Sequence, residues 1–148
     1  MSVREGLARL EGVESVSERC HRQTGTGELR MKRGRVVTPT VLSNQIAEIG
    51  VGARLRGLEA TVKGTLERKD GQAVLRVSKS NELLQLLPLT TKVQSAALTT
   101  KQPEAPTPQE RNAHERLLAR VKDGPQPVRI TGPLRDEMKL EVRTFELK

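Results

Sequence analysis

Few side chains in this sequence could hold a soft metal or move a proton. Cys20 is the only cysteine, and His21 and His114 are the only histidines. Cys20 and His21 together offer a thiolate and an imidazole, ligands that suit Zn(II) or Cu(I). They are adjacent, however, and neighbours on a strand point to opposite faces, so one ion could reach both only across a bulge. A lone thiol also excludes an internal disulfide and any structural zinc site that needs two thiolates from this chain. Cys20 therefore reads as an apolar filler and His21 as a solvent-facing residue. They remain the only metal-ligand candidates.

The second chemistry on offer is phosphate binding. Arg30, Lys32, Arg33 and Arg35 form the densest basic run, in a chain of 148 residues with net charge +8 and pI near 10.2. Such a balance favours an anionic partner. The excess is spread out: Lys and Arg outnumber Asp and Glu by 10 to 6 over residues 1–56 and by 16 to 12 over 57–148. Arg30 and Lys32 alternate with Leu29 and Met31, as on the wet face of a half-buried strand. Phe145 is the only aromatic residue, so a stacking track for bases is missing, and nucleic-acid binding through these four cations would be weak and salt-dependent. Catalysis has little to use. There is no glycine-rich phosphate loop, His114 falls on the apolar stripe of a helix, and the carboxylates Asp136 and Glu137 fall in a turn. A non-catalytic protein is expected.

These residues need elements to place them. Ser2 and Glu5 form a capping-box pair that starts a helix near Val3, with Leu7 and Leu10 on one face and Gly12 as its stop. Val16 and Cys20 share one strand parity, the stretch 23–27 is turn-rich, and 28–32 alternates, which predicts a hairpin. Thr38 and Pro39 open a second helix with Leu42, Ile46 and Ile49 on one stripe, ending at Gly50. Val51 to Leu55 reads as a further strand. Helix, strand, strand, helix, strand is the ferredoxin-like βαββαβ unit without its first strand.

The runs "VREGLARLEGVESV" and "GELRMKRGRVVTPTVLSNQIAEIGVGARL" resemble heavy-metal-associated domains over residues 1–56. In that family the second cysteine of a Cys-x-x-Cys loop precedes the first helix, at a position that aligns with Ser2. The resemblance thus implies a metal-handling type of protein that has lost its site and acts as a binding or interaction module. A protein partner could pair with the sheet edge that the missing strand leaves open. Cu(I) or Zn(II) would be expected only if an upstream segment supplies the two cysteines. Such a segment could also send the protein to the periplasm or out of the cell, whereas the chain as written is expected in the cytoplasm, with no membrane partner.

From Gly57 the periodicity changes. Residues 59–67 alternate, Lys69-Asp70-Gly71 signals a hairpin turn, Ala73, Leu75 and Val77 continue on a second strand, and 83–89 supplies a third that ends at Pro88. Residues 94–108 read as a flexible loop. Thr107 and Glu110 repeat the capping box before a helix whose stripe holds His114, Leu117, Leu118 and Val121. Strands at 127–131 and 138–147 close the chain, joined through 132–136. The segments "GLEATVKGTLERKDGQAVLRV" and "PVRITGPLRDEMKLEVRTFEL" resemble the opening and closing hairpins of bacterial OB domains. An α+β protein of two parts is expected: a ferredoxin-like unit at 1–56 and an OB-like barrel with one helix at 57–148. The second functional expectation follows from the barrel, a single-stranded nucleic-acid-binding protein with a basic surface.

Overall fold

The computed structural model describes residues 3–16, 28–49, 55, 57–80, 82–90, 106–121 and 125–147. Two bodies of secondary structure are present, each around its own apolar cluster. Among the described residues no helix is long and apolar enough to cross a membrane.

The first body holds α1 (Val3–Ala8), β1 (Val13–Val16), β2 (Leu29–Met31) and α2 (Pro39–Ile49). Gly12, at φ +89°, lets the chain reverse out of α1 into β1, and its carbonyl accepts the Lys32 amide at 2.8 Å. β1 and β2 are antiparallel, Val13 opposite Met31 and Val16 opposite Leu29, with a register shift between Val13 and Ser15. On α2 the buried residues are Leu42 and Ile46, one turn apart as the stripe predicts, and Ile49 is half-buried. They meet Leu7 and Val37, with Leu29 and Met31 packed against them. Gln45 donates to the Gly6 carbonyl at 2.7 Å and ties the helices together. The expected extension of β1 to Cys20 lies outside the described residues, as do residues 51–54 of the strand expected from Val51 to Leu55; Leu55 itself is described and is not in a strand. What is seen of this part is two helices on a two-stranded hairpin.

The second body is a closed five-stranded barrel. Its strands are β3 (Glu59–Lys69), β4 (Gln72–Val77), β5 (Leu83–Pro88), β6 (Gln126–Arg135) and β7 (Lys139–Val142), with β8 (Thr144–Leu147) continuing along the same edge of β6 past Arg143. The order around the barrel is β3-β4-β5-β7-β6 and back to β3. All pairs are antiparallel except β5 with β7. Asp70 (φ 52°) and Gly71 (φ 79°) both take the left-handed conformation that a two-residue hairpin turn requires. Inward residues of every strand fill the barrel, among them Leu66, Leu75, Leu84, Ile130 and Leu140, all wholly buried.

Between β5 and β6 the capping box forms as read: Thr107 Oγ1 accepts the Glu110 amide at 3.2 Å and Glu110 accepts the Thr107 amide at 2.9 Å. The helix breaks once, at Asn112, into α3 (Pro108–Arg111) and α4 (Ala113–Val121). Ala113 and Leu117 of α4 are wholly buried in the barrel cluster.

One expectation is corrected. The connection placed at 132–136 is strand: β6 runs on to Arg135, Pro133 and Leu134 are buried, and the turn is 136–138. Gly-Pro imitates a turn locally, but Gly132 serves a crossing. A Cβ there would collide with the Glu141 carbonyl, so glycine lets β7 come close as β6 bends from one set of neighbours to the next. Gly64 does the same on β3, against the Arg76 carbonyl.

Candidate functional site

The basic run sits at the seam between the two bodies. Arg30 points outward from β2, between half-buried Leu29 and Met31, as the alternation predicts. Lys32, Arg33 and Arg35 are exposed on the connection from β2 to α2. Arg35 reaches Glu11 at 3.5 Å, a pair too exposed to neutralise it firmly. Arg30, Lys32 and Arg33 have no ion-pair partner among the described residues.

The fold adds cations that lie far away in sequence. Gly34, at φ +78°, is seated so closely on the turn between β4 and β5 that a Cβ on it would lie 2.6 Å from the Lys79 carbonyl oxygen. Lys79 is exposed and itself left-handed, at φ 63°. One residue back, the Ser78 amide donates to the Lys63 carbonyl at 3.1 Å. Lys63 on β3 lies directly opposite Arg129 on β6. A continuous line of backbone contacts therefore runs from the basic turn of the first body, over the β4–β5 turn, to two cations on the outer face of the barrel. Strand alternation makes Lys63 outward-facing from sequence alone. Its pairing with Arg129 and the seating of Gly34 are set by tertiary register, and no local signal announces them.

Several other residues that could do chemistry are occupied structurally. His114 Nε2 lies 3.2 Å from the Leu86 carbonyl, and burial holds its pKa below the ordinary 6.5 despite that contact and nearby Glu115. Asp136 and Glu137 do not act as a carboxylate pair: Asp136 accepts the Thr40 amide at 2.9 Å and Glu137 pairs with Lys139 at 3.2 Å. Glu141 is buried against Arg135 and Thr90. Arg143 bridges Glu59 and Glu110 and so binds the start of the helical connection to the barrel wall. Phe145 is half-buried and carries the Arg116 guanidinium 5.4 Å from its ring centre, so that face of the ring is covered.

A shallow groove crosses the outer face of β4 and β5, between the β3–β4 and β6–β7 turns. Gln85 donates to Gln72 across its floor at 2.8 Å, with Val74 and Leu83 beside them, and its rim has Lys69 against Asp70 and Glu137. That balance gives it no pull on phosphate. Cys20 and His21, the metal-ligand candidates, and Ser2 lie outside the described residues. Among those described no group of three His, Cys, Asp or Glu is placed to hold a metal ion. Comparison with family models, curated proteins and solved structures finds no match.

Proposed function

We propose that this chain is a non-catalytic binding module in which an OB-like barrel and the basic turn beside it hold single-stranded nucleic acid, chiefly through its phosphates. The seating of Gly34 on Lys79 carries this reading, because it makes one cationic surface out of basic residues from both bodies. The barrel supports it: numbered from β3, the strand order is 1-2-3-5-4-1 with strands 3 and 5 parallel and the helix between strands 3 and 4, an arrangement that resembles the OB plan. The covered Phe145 supports the character of the binding. Without stacking platforms affinity rests on counterion release and falls steeply with salt.

Fluorescence anisotropy with a labelled oligo-dT tests this. Binding is expected at about 50 mM salt and should be largely lost by about 200 mM. Replacing Arg33 and Lys79 by Glu should abolish it at low salt while the circular dichroism spectrum is kept. Binding indifferent to both salt and that double change would sink the reading.

A second reading rests on the two helices α1 and α2, which pack against the β1–β2 hairpin. In it the first body docks a protein partner along β2. Stoichiometric Cu(I) or Zn(II) in the purified native protein would replace this docking reading with a metal-handling one.

A further inference from the structure

We infer that Gln72 and Gln85, on the outer face of β4 and β5, form a subsite for a single unpaired nucleobase, walled by Val74, Leu83 and Met138. This inference rests on the nucleic-acid reading above. It adds to the phosphate contacts a contact with the part of the ligand that tells a single strand from a duplex.

Three observations converge there. First, the groove has a volume of about 390 Å³, at the low end of pockets that hold small molecules, and its rim sets Lys69 against Asp70 and Glu137. Phosphate gains nothing from that rim, while an uncharged group meets no repulsion there. Second, the walls are apolar on a face where strand alternation ordinarily puts polar residues. Val74 and Leu83 point away from the buried Ala73, Leu75 and Leu84 and are half-covered. Met138 is fastened beside them by its carbonyl, which accepts the Gln85 backbone amide at 2.9 Å. Two aliphatic side chains and a thioether give the flat face of a base an apolar contact, and the sulfur suits an aromatic ring. Third, Gln72 and Gln85 meet through one hydrogen bond, from Gln85 Nε2 to Gln72 Oε1 at 2.8 Å. A side-chain amide has two donor hydrogens and an oxygen with two lone pairs, so after that bond each glutamine still has both a donor and an acceptor to offer.

An unpaired base answers all three at once. It is uncharged, it has a π-face for the apolar walls, and its edge sets a donor beside an acceptor, the pattern that an amide matches. In a duplex the faces are stacked and the pairing edges are taken, so the groove selects single strands. Its place on the barrel agrees with the cationic seam. The strands that carry the groove are joined by the turn that holds Lys79, on which Gly34 of the basic turn is seated. From Gln72 to Val77 β4 advances roughly 17 Å, at about 3.3 Å per residue. A bound strand thus lies along the face of β4 and β5, with phosphates at Arg33 and Lys79 and a base in the groove between the β3–β4 and β6–β7 turns.

The test uses the full chain and two labelled ligands of equal length, oligo-dT and the same sugar-phosphate backbone without bases, each titrated across a salt series. The wild type should prefer oligo-dT. Gln85→Ala should weaken oligo-dT binding about three- to tenfold, the loss of one hydrogen bond, and leave the affinity for the abasic strand unchanged. It should also keep the slope of log K against log salt, because no phosphate contact is lost, whereas Lys79→Gln should make that slope shallower by about 0.7 on either ligand. Melting curves like that of the wild type show that both variants are folded. If the wild type binds neither ligand at low salt, the nucleic-acid reading falls and the subsite with it. If the wild type binds both ligands with one affinity, the phosphate reading stands and the subsite alone is wrong. A Gln85→Ala protein that loses the same factor on both ligands, or that has a shallower slope, would mean that the groove meets backbone and not a base, which also overturns the inference.

Discussion

The carboxylate of Asp136, in the turn between β6 and β7, accepts the backbone amide of Thr40 in the first turn of α2 at 2.9 Å. A helix leaves its first amides without internal partners, and one is met here by a residue 96 positions away. The local cap is weaker, because Thr38 Oγ1 lies 3.5 Å from the Val41 amide. A negative charge at this end also suits the helix dipole. The contact thus finishes α2 and fastens the first body to the barrel.

Asp136→Ala should lower stability by about 1 kcal/mol, the usual cost of losing a cap. Asp136→Asn keeps an acceptor in place and should cost only a few tenths. Urea unfolding followed by circular dichroism measures both. Equal losses in the two variants would mean that the contact contributes charge and no hydrogen bond.

The glycines make a sharper pair. At Gly71 a Cβ meets nothing within 4 Å, so Gly71→Ala carries only the penalty of its positive φ, roughly 1–2 kcal/mol. At Gly132 the Cβ runs into the Glu141 backbone, which cannot swing aside as a flexible side chain would. Gly132→Ala should therefore disrupt the β6–β7 crossing and abolish the cooperative thermal transition, while Gly71→Ala keeps it. A Gly132→Ala protein that melts like the wild type would show that the barrel can open at this point.

This difference marks how far the sequence could be read. Lys69-Asp70-Gly71 is a hairpin turn by local conformational demand, and Thr107 with Glu110 is a capping box by spacing; both stand in the structure as read. Leu42 and Ile46 declare a buried helix face in the same way. Gly132 looks locally like another turn, yet its role depends on a strand that approaches from later in the chain. The candidate site divides along the same line. Arg30, Lys32, Arg33 and Arg35 are visible as a run of charge. Lys79, Lys63 and Arg129 join them only through the seating of Gly34 and the register of β3 on β6, which no local pattern encodes.

Acid should expose the network around Glu141. Burial alone would raise its pKa, but the Arg135 guanidinium at 2.6 Å and two donors from Thr90, each at 2.8 Å, together hold it below the ordinary value of 4.5. A carboxylate whose pKa is lower in the folded state contributes stability that is complete above the unfolded value and is lost as pH falls through the folded one. Stability at neutral pH relative to stability below pH 4.5 should therefore drop further in the wild type than in Glu141→Gln. Urea midpoints at a series of pH values measure this, and parallel pH profiles would remove Glu141 from the account.

The two apolar clusters are unequal, and Leu58 touches both. Among the described residues the barrel buries fourteen apolar side chains in one cluster, whereas the first body buries Leu7, Val37, Leu42 and Ile46. A small core leaves little surplus over ordering entropy, so ties to a larger one matter. The described part of the first body has such ties to the barrel in Leu58, the contact of Gly34 with Lys79, and Asp136. The order of unfolding follows: α1, α2 and the hairpin should open with the barrel or before it, never after it. In hydrogen exchange the amide of Ile46 should be less protected than those of Leu66 and Leu75. Leu58→Ala should cost about 1–2 kcal/mol, below the 2–5 kcal/mol of a fully buried leucine because Leu58 is only partly covered. The same change should widen the gap in protection between the two bodies, since Leu58 is the side chain that, among the described residues, packs against both cores. If Ile46 stayed protected after the barrel amides had exchanged, the first body would be an independently stable domain, with its boundary near residues 56–57 as the change of periodicity there suggests.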